Sequence, residues 1–187
     1  MATGFKSLQG QLLLDGGNLT GSFFQRTVVL ICQHDREGAF GLVLNRKSDG
    51  KVGELIVADM PDALRDQAVY LGGPVQASAL SYLQSESGEG ESQVFSSVGL
   101  GHSLETLIEL SETPTVGQQL RVFAGYSGWA PGQLEDELKR GAWVTHPASI
   151  ELVFHRETDR LWREILLSRR EWQYRLLADA PEDIAAN

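Results

Sequence analysis

"TVVLICQHDREGAFGLVLNR", residues 27–46, decides the fold. Two apolar runs rich in β-branched residues, "TVVLICQH" and "AFGLVLNR", flank the polar "DREG", whose glycine falls near the end of the turn. That is the spacing of a β-hairpin. Upstream, "QGQLLLD" reads as a strand and "GGNLTGSFFQ" as a Gly-rich connection that feeds Arg26 into the hairpin. Downstream, "VGELIVADM" reads as a short helix closed by Pro61. "AVYLGGPV" is a strand ending in a Gly-Gly-Pro turn, with glycine supplying an unusual φ and proline fixing the exit.

The rest of the chain alternates strand and helix signals. "QASALSYLQ" and "VFSSVG" are strands on either side of "SESGEGESQ", residues 85–93, which contains nothing able to pack and is expected to be a flexible loop. Ser103 is placed to cap a two-turn helix, and "QQLRVFAGY" is a strand. In "AGYSGWAPGQLEDELKRGAW", residues 124–143, Tyr126 to Ala130 read as a turn, Pro131 begins a helix and Gly141 ends it. "AWVTHPASIELVF" suggests two short strands interrupted by Pro147. "ETDRLWREILLSRREWQYRLLA" is the longest helical pattern, and residues 179–187 form a polar tail. Hairpins outnumber crossover units, so one α+β domain spanning 1–187 is expected, with a largely antiparallel or mixed sheet flanked by several helices.

Composition narrows the function. The 187 residues carry a formal net charge of -9, and that field repels nucleic-acid backbones and anionic lipid. The densest basic stretch, "SRREWQYR", mixes arginines with aromatics and acids and reads as a solvated helix face. One cysteine, Cys32 in an apolar run, fits a buried strand position in a reducing cytoplasm. The N-terminus lacks the apolar core of a signal peptide, and no run reaches membrane length.

Catalytic patterns are incomplete. Gly125-Tyr126-Ser127-Gly128-Trp129 resembles a nucleophile elbow, but Trp129 stands where the second glycine belongs. His146 and His155 with Asp136 or Asp159 could complete a triad only by composition. "GLGHSL", residues 99–104, lacks the third glycine of a dinucleotide fingerprint and reads as a capped helix start. His34, His102, His146 and His155 are scattered; Glu151 and His155, read on a strand, stand too far apart for a shared ion. Glu135, Asp136 and Glu137 read as a solvated face with i,i+4 pairs to Lys139 and Arg140. Neither a metal nor a cofactor is expected.

"FFQRTVVLICQHDREGAFGLVLNR", "LGGPV" and "GYSGWAPGQLEDELKRGAW", in this order and spacing, resemble the signature blocks of the YqgE/AlgH family of bacterial proteins, from about Gly10 onward. The resemblance implies a cytosolic α+β protein whose curved sheet forms a pseudo-barrel. Arg26, His34, Gly38, Gly41 and Asn45 match the first block. Gly72, Gly73 and Pro74 match the second, and Trp129, Gln133, Leu134, Glu137 and Trp143 the third. "SRREWQYRLL" stands where relatives often carry a Gly-containing turn, which predicts a longer final helix. Family members are often labelled transcriptional regulators, from an association with control of alginate synthesis.

The expected function is therefore a non-enzymatic regulatory protein that binds an unknown protein or small ligand. Its binding surface is expected at Arg26, His34, Asn45, Gly73, Trp129, Gln133, Glu137 and Trp143. Those residues also admit a structural reading, with Arg26 bonding turn carbonyls and the Trp pair packing a helix to the sheet. The alternatives are transcriptional regulation, direct or indirect, and a hydrolase using Ser127. Direct contact with nucleic acid is disfavoured by charge and no membrane partner is expected; the pattern selects no oligomeric state.

Overall fold

A computed structural model describes residues 5–86 and 92–181. Strands β1 (Gln11–Asp15), β2 (Val28–Asp35) and β3 (Gly38–Val43) come first, with Asp35 opposite Gly38 across a tight turn, as the hairpin reading predicts. Next are β4 (Lys47–Lys51), α1 (Val52–Leu55), α2 (Asp62–Arg65), β5 (Ala68–Leu71) and β6 (Val75–Gln84). A second hairpin, β7 (Ser92–Phe95) and β8 (Val98–Gly101), leads to α3 (Leu104–Glu112). The chain ends with β9 (Leu120–Trp129), α4 (Gln133–Lys139), β10 (Trp143–Pro147), α5 (Ile150–Val153), α6 (Thr158–Ser168) and α7 (Trp172–Asp179).

Among the described residues the strands form one ten-stranded sheet, ordered β10-β1-β2-β3-β9-β6-β8-β7, with β4 and β5 joined to it through β9. Every pairing is antiparallel except β5 on β9. The architecture is the α+β class expected. The sheet curls back on itself: Gln9, just before β1, donates its side-chain amide to the Gln93 and Val94 carbonyls on β7. β10 and β7 do not pair with each other, so the curved sheet is not closed into a barrel.

The apolar runs of β1 and β2 are continuous because both faces are covered. Leu12, Leu14, Val28, Leu30 and Cys32 face a core completed by Phe154, Leu161, Trp162, Ile165 and Leu166. Leu13, Val29 and Ile31 point the other way, against Trp129, Leu134 and Trp143. A third cluster joins Val52, Leu64, Val69 and Leu107 to Tyr82 and Val122.

Several expectations need correction. Tyr126–Ala130 is no turn: β9 runs through Trp129, and Ser127 and Gly128 pair with Gly41 and Phe40. The turn is Pro131-Gly132, with Gly132 in the left-handed region that suits glycine, so α4 begins at Gln133 rather than Pro131. "VFSSVG" is a hairpin rather than one strand. The helix expected over "VGELIVADM" stops at Leu55, where Ile56 is extended, and Pro61 does not close it but caps the start of α2. The second strand expected after Pro147 is α5, because Ser149 accepts from the Leu152 amide and caps a helical turn. Glu151 thus sits on a helix. The long helix is two, since Arg169 is extended and ends α6. Of the expected loop at 85–93, Ser92 and Gln93 belong to β7, and Ser85 is buried with its hydroxyl accepting from the Gln119 amide; residues 87–91 lie outside the described residues. So do residues 182–187 of the expected tail.

Candidate functional site

Four of the eight predicted site residues meet on one carboxylate. The indoles of Trp129 and Trp143 both donate to Glu137 Oε2, at 2.9 and 2.7 Å. The Gln133 amide donates to Glu137 Oε1 at 2.9 Å, and its oxygen accepts from the Ala130 amide. β9 delivers Trp129, β10 delivers Trp143, and α4 places Gln133 and Glu137 one turn apart. Both tryptophans are buried, and Phe24 packs edge-on to Trp143. His34 adjoins the same helix. Its Nδ1 accepts from the Leu8 amide, which puts the proton of the neutral ring on Nε2, facing Glu135 Oε1 at 3.1 Å. Glu135 therefore turns inward instead of pairing with Lys139, whose partner is Asp136 at 2.9 Å. The Glu137 and Glu135 contacts fasten α4 to the sheet.

Gly73 stands apart. A Cβ there would lie 2.1 Å from the Tyr126 carbonyl carbon, so the glycine allows backbone to cross backbone. Neither Gly72 nor Gly73 has a positive φ, contrary to the turn reading.

Arg26 and Asn45 assemble a different place. Arg26 is a non-glycine residue in the left-handed region, with φ 55°, a conformation that persists only where its surroundings impose it. Buried Asp15 accepts from the Arg26 N–H at 2.7 Å, and Asn45 Nδ2 donates to the Arg26 carbonyl at 2.9 Å. Asn45 Oδ1 also accepts from the Val28 amide at 2.8 Å. The Arg26 backbone is thus held from both sides. Its guanidinium lies 5.3 Å from the Trp162 ring centroid and donates to the Ala180 carbonyl.

This arginine borders a cleft of about 600 Å³ between the β2 entry, the start of β4 and the first turns of α6. Five bases line it, Arg26, Arg46, Lys47, Arg160 and Arg163, against one acid, Asp159. Arg46 donates to the Gln25 carbonyl, Arg160 pairs with Glu157 at 2.9 Å and Arg163 with Asp179 at 2.5 Å. The Lys47 side chain makes no hydrogen bond or ion pair among the described residues.

The sequence showed no basic patch because the five bases come from three distant segments, none of them a charge run. Asp15 and Trp162, which hold Arg26, were also missed. The signal for Asp15 was present: an acid directly before Gly16-Gly17 at a strand end, whose Oδ1 accepts from the Gly17 amide at 2.8 Å.

Ser127 is fully buried in β9 and donates its hydroxyl to the Gly72 carbonyl at 3.0 Å. Cys32 is buried, and burial pushes its thiol well above the ordinary range. His146 and His155 lie apart from Ser127 in their contacts: His155 faces Glu164 at 3.3 Å. Among the described residues no group of three or more His, Cys, Asp or Glu is arranged to hold a metal ion, and no helix is long and apolar enough to cross a membrane.

Comparison with known proteins agrees over nearly the whole chain. A profile described as AlgH-like matches residues 12–172. A UPF0301 protein of Chlorobium limicola is 37% identical over 176 residues, covering 92% of each chain. A UPF0301 protein of Streptomyces coelicolor is 41% identical over 197 residues, covering 99% of this chain and 98% of its own. The solution structure of the AlgH protein from Pseudomonas aeruginosa superposes with a TM-score of 0.68 at 26% identity, over 82% of this chain and 85% of that one. A crystal structure from Corynebacterium diphtheriae shares the fold, with a TM-score of 0.75 at 23% identity over 95% and 94% of the two chains.

Proposed function

The chain belongs to the AlgH-like family, and from that premise we propose that it is a cytosolic binding protein, regulatory rather than catalytic, whose site is the cleft beside Arg26. The observation that carries this reading is the gathering of five bases around one cleft on a chain of net charge -9. Bases dispersed on a surface need no explanation, but converging ones repel each other, and a fold keeps them where an occupant offsets the repulsion. Arg26, held in a strained backbone by Asp15 and Asn45, gives the cleft a preorganised side.

The nucleophile candidates support binding over chemistry. A serine nucleophile gives its proton to a base, whereas the Ser127 hydroxyl is spent on a backbone carbonyl. The α4 network supports a structural role for Trp129, Gln133, Glu137 and Trp143, since their polar atoms bond to one another. The lone buried Cys32 suits a reducing compartment.

The test is a pull-down from the source cytosol with the wild-type chain and a Lys47→Glu/Arg160→Glu variant, identifying bound proteins and metabolites. Species retained by the wild type and lost by the variant support the cleft. Equal recovery by both overturns the reading of the cleft as a partner-binding site.

A further inference from the structure

We propose that the cleft beside Arg26 is a site for a small phosphate-bearing ligand, and that this ligand binds by taking Arg163 from Asp179. The proposal rests on the binding role above and names the class of ligand. The lining holds five bases and one acid. Even when Glu157 and Asp179, which pair with two of those bases from outside the lining, are included, positive charge is in excess.

The bases approach from two walls. Arg26, Arg46 and Lys47 rise from the sheet side, and Arg160 and Arg163 project from α6. An anion between them is contacted on opposite sides. A phosphate presents oxygens in tetrahedral directions and can accept from several guanidinium and ammonium groups at once, whereas a planar carboxylate is satisfied by a single arginine fork. About 600 Å³ is the volume of a metabolite pocket and is concave, whereas a duplex presents a long convex phosphate track.

Two contacts give the site an internal competitor. Arg163 pairs with Asp179 at the end of α7, and Arg26 donates to the carbonyl of the next residue, Ala180. Asp179 thus occupies one of the bases that a phosphate would use. The Arg163 and Asp179 side chains are 54% and 59% exposed, so the exchange costs little. Lys47 needs no such exchange, because its side chain has no partner to leave among the described residues.

The experiment is calorimetric titration of the full chain with pyrophosphate, with citrate at matched ionic strength as the carboxylate arm. The expected result is saturable pyrophosphate binding, tighter than citrate, weakened about tenfold by Lys47→Ala or Arg160→Ala, each of which removes one charged donor. Asp179→Asn is expected to tighten binding about twofold to fivefold, by removing an exposed competitor. That opposite sign separates competition from damage to the fold. Lys139→Ala on α4 serves as the control and is expected to leave binding unchanged.

Absence of saturable pyrophosphate binding, citrate binding as tight as pyrophosphate, or weaker binding by Asp179→Asn overturns the proposal. Retention of duplex DNA through Lys47 and Arg160 in place of pyrophosphate overturns it as well. If pyrophosphate fails while the pull-down still depends on cleft charge, the ligand class falls and the binding role stands. Equal recovery in the pull-down with charge-dependent pyrophosphate binding leaves the site and removes the partner reading.

Discussion

Arg121 carries a buried positive charge with no carboxylate paired to it among the described residues. Its guanidinium donates to the carbonyls of Leu44, Val153 and His155, at 3.3, 2.8 and 2.8 Å, and lies 4.5 Å from the Tyr70 ring centroid. Burial lowers its pKa from the ordinary value, and Tyr70 opposes that shift. Arg121→Met keeps volume but strands those carbonyls, and is expected to cost about 2–4 kcal/mol in denaturant unfolding. Glu137 is a parallel case with the signs reversed. Glu137→Ala leaves two buried indole N–H groups without their acceptor and is expected to cost about 2–4 kcal/mol, with a shift in tryptophan emission; Glu137→Gln, which keeps an acceptor oxygen, costs less. His146 gives a pH dependence. Burial first, and Arg169 second, push its pKa below the ordinary 6.5. The unfolded chain then binds the proton more readily than the folded one, so the stabilising contribution is full above about pH 6.5 and fades as pH falls through the folded value. Stability measured in steps below neutrality is expected to decline, and to decline less in His146→Gln.

At the scale of elements, local patterns were legible where backbone and side-chain periodicity agreed. The β2–β3 hairpin and the Ser103 cap of α3, where Ser103 Oγ accepts from the Thr106 amide at 3.2 Å, follow from a few consecutive residues. The misread elements are those in which a distant partner decides. Tyr126-Ser127-Gly128 looks like a turn by composition, yet β3 and Gly73 hold it extended. Gly73 is the sharper test. Gly73→Ala sets a methyl group against the Tyr126 backbone, which cannot yield as a flexible side chain would, and is expected to cost about 3 kcal/mol or more in thermal or denaturant unfolding. The α6–α7 break was hidden because "SRRE" has no glycine or proline. It occurs where Arg169 leaves the helix, donates to the Thr145 carbonyl at 2.9 Å on β10 and stacks over Tyr174 at 4.4 Å.

At the scale of the molecule, the sheet nearly closes on itself through one side chain. Gln9 reaches two carbonyls of β7 at 3.0 and 3.2 Å, tying the chain that enters β1, one strand in from the β10 end, to the opposite end of the strand order. Gln9→Ala is expected to raise amide hydrogen exchange across the β7–β8 hairpin while lowering global stability by only about 1 kcal/mol, because each carbonyl can turn to water. The sequence by itself determined the α+β class, the antiparallel hairpin at its centre, the burial of Cys32 and the family, since these depend on short-range periodicity, composition and ordered motifs. Only the tertiary structure decided which of the signature residues meet. It drew Trp129, Gln133, Glu137 and Trp143 into one hydrogen-bonded network, and it set Arg26 and Asn45 with Arg46, Lys47, Arg160 and Arg163 around a separate cleft. The physical reason is chain distance: a field made by charges more than a hundred residues apart exists only after α6 has packed against the sheet.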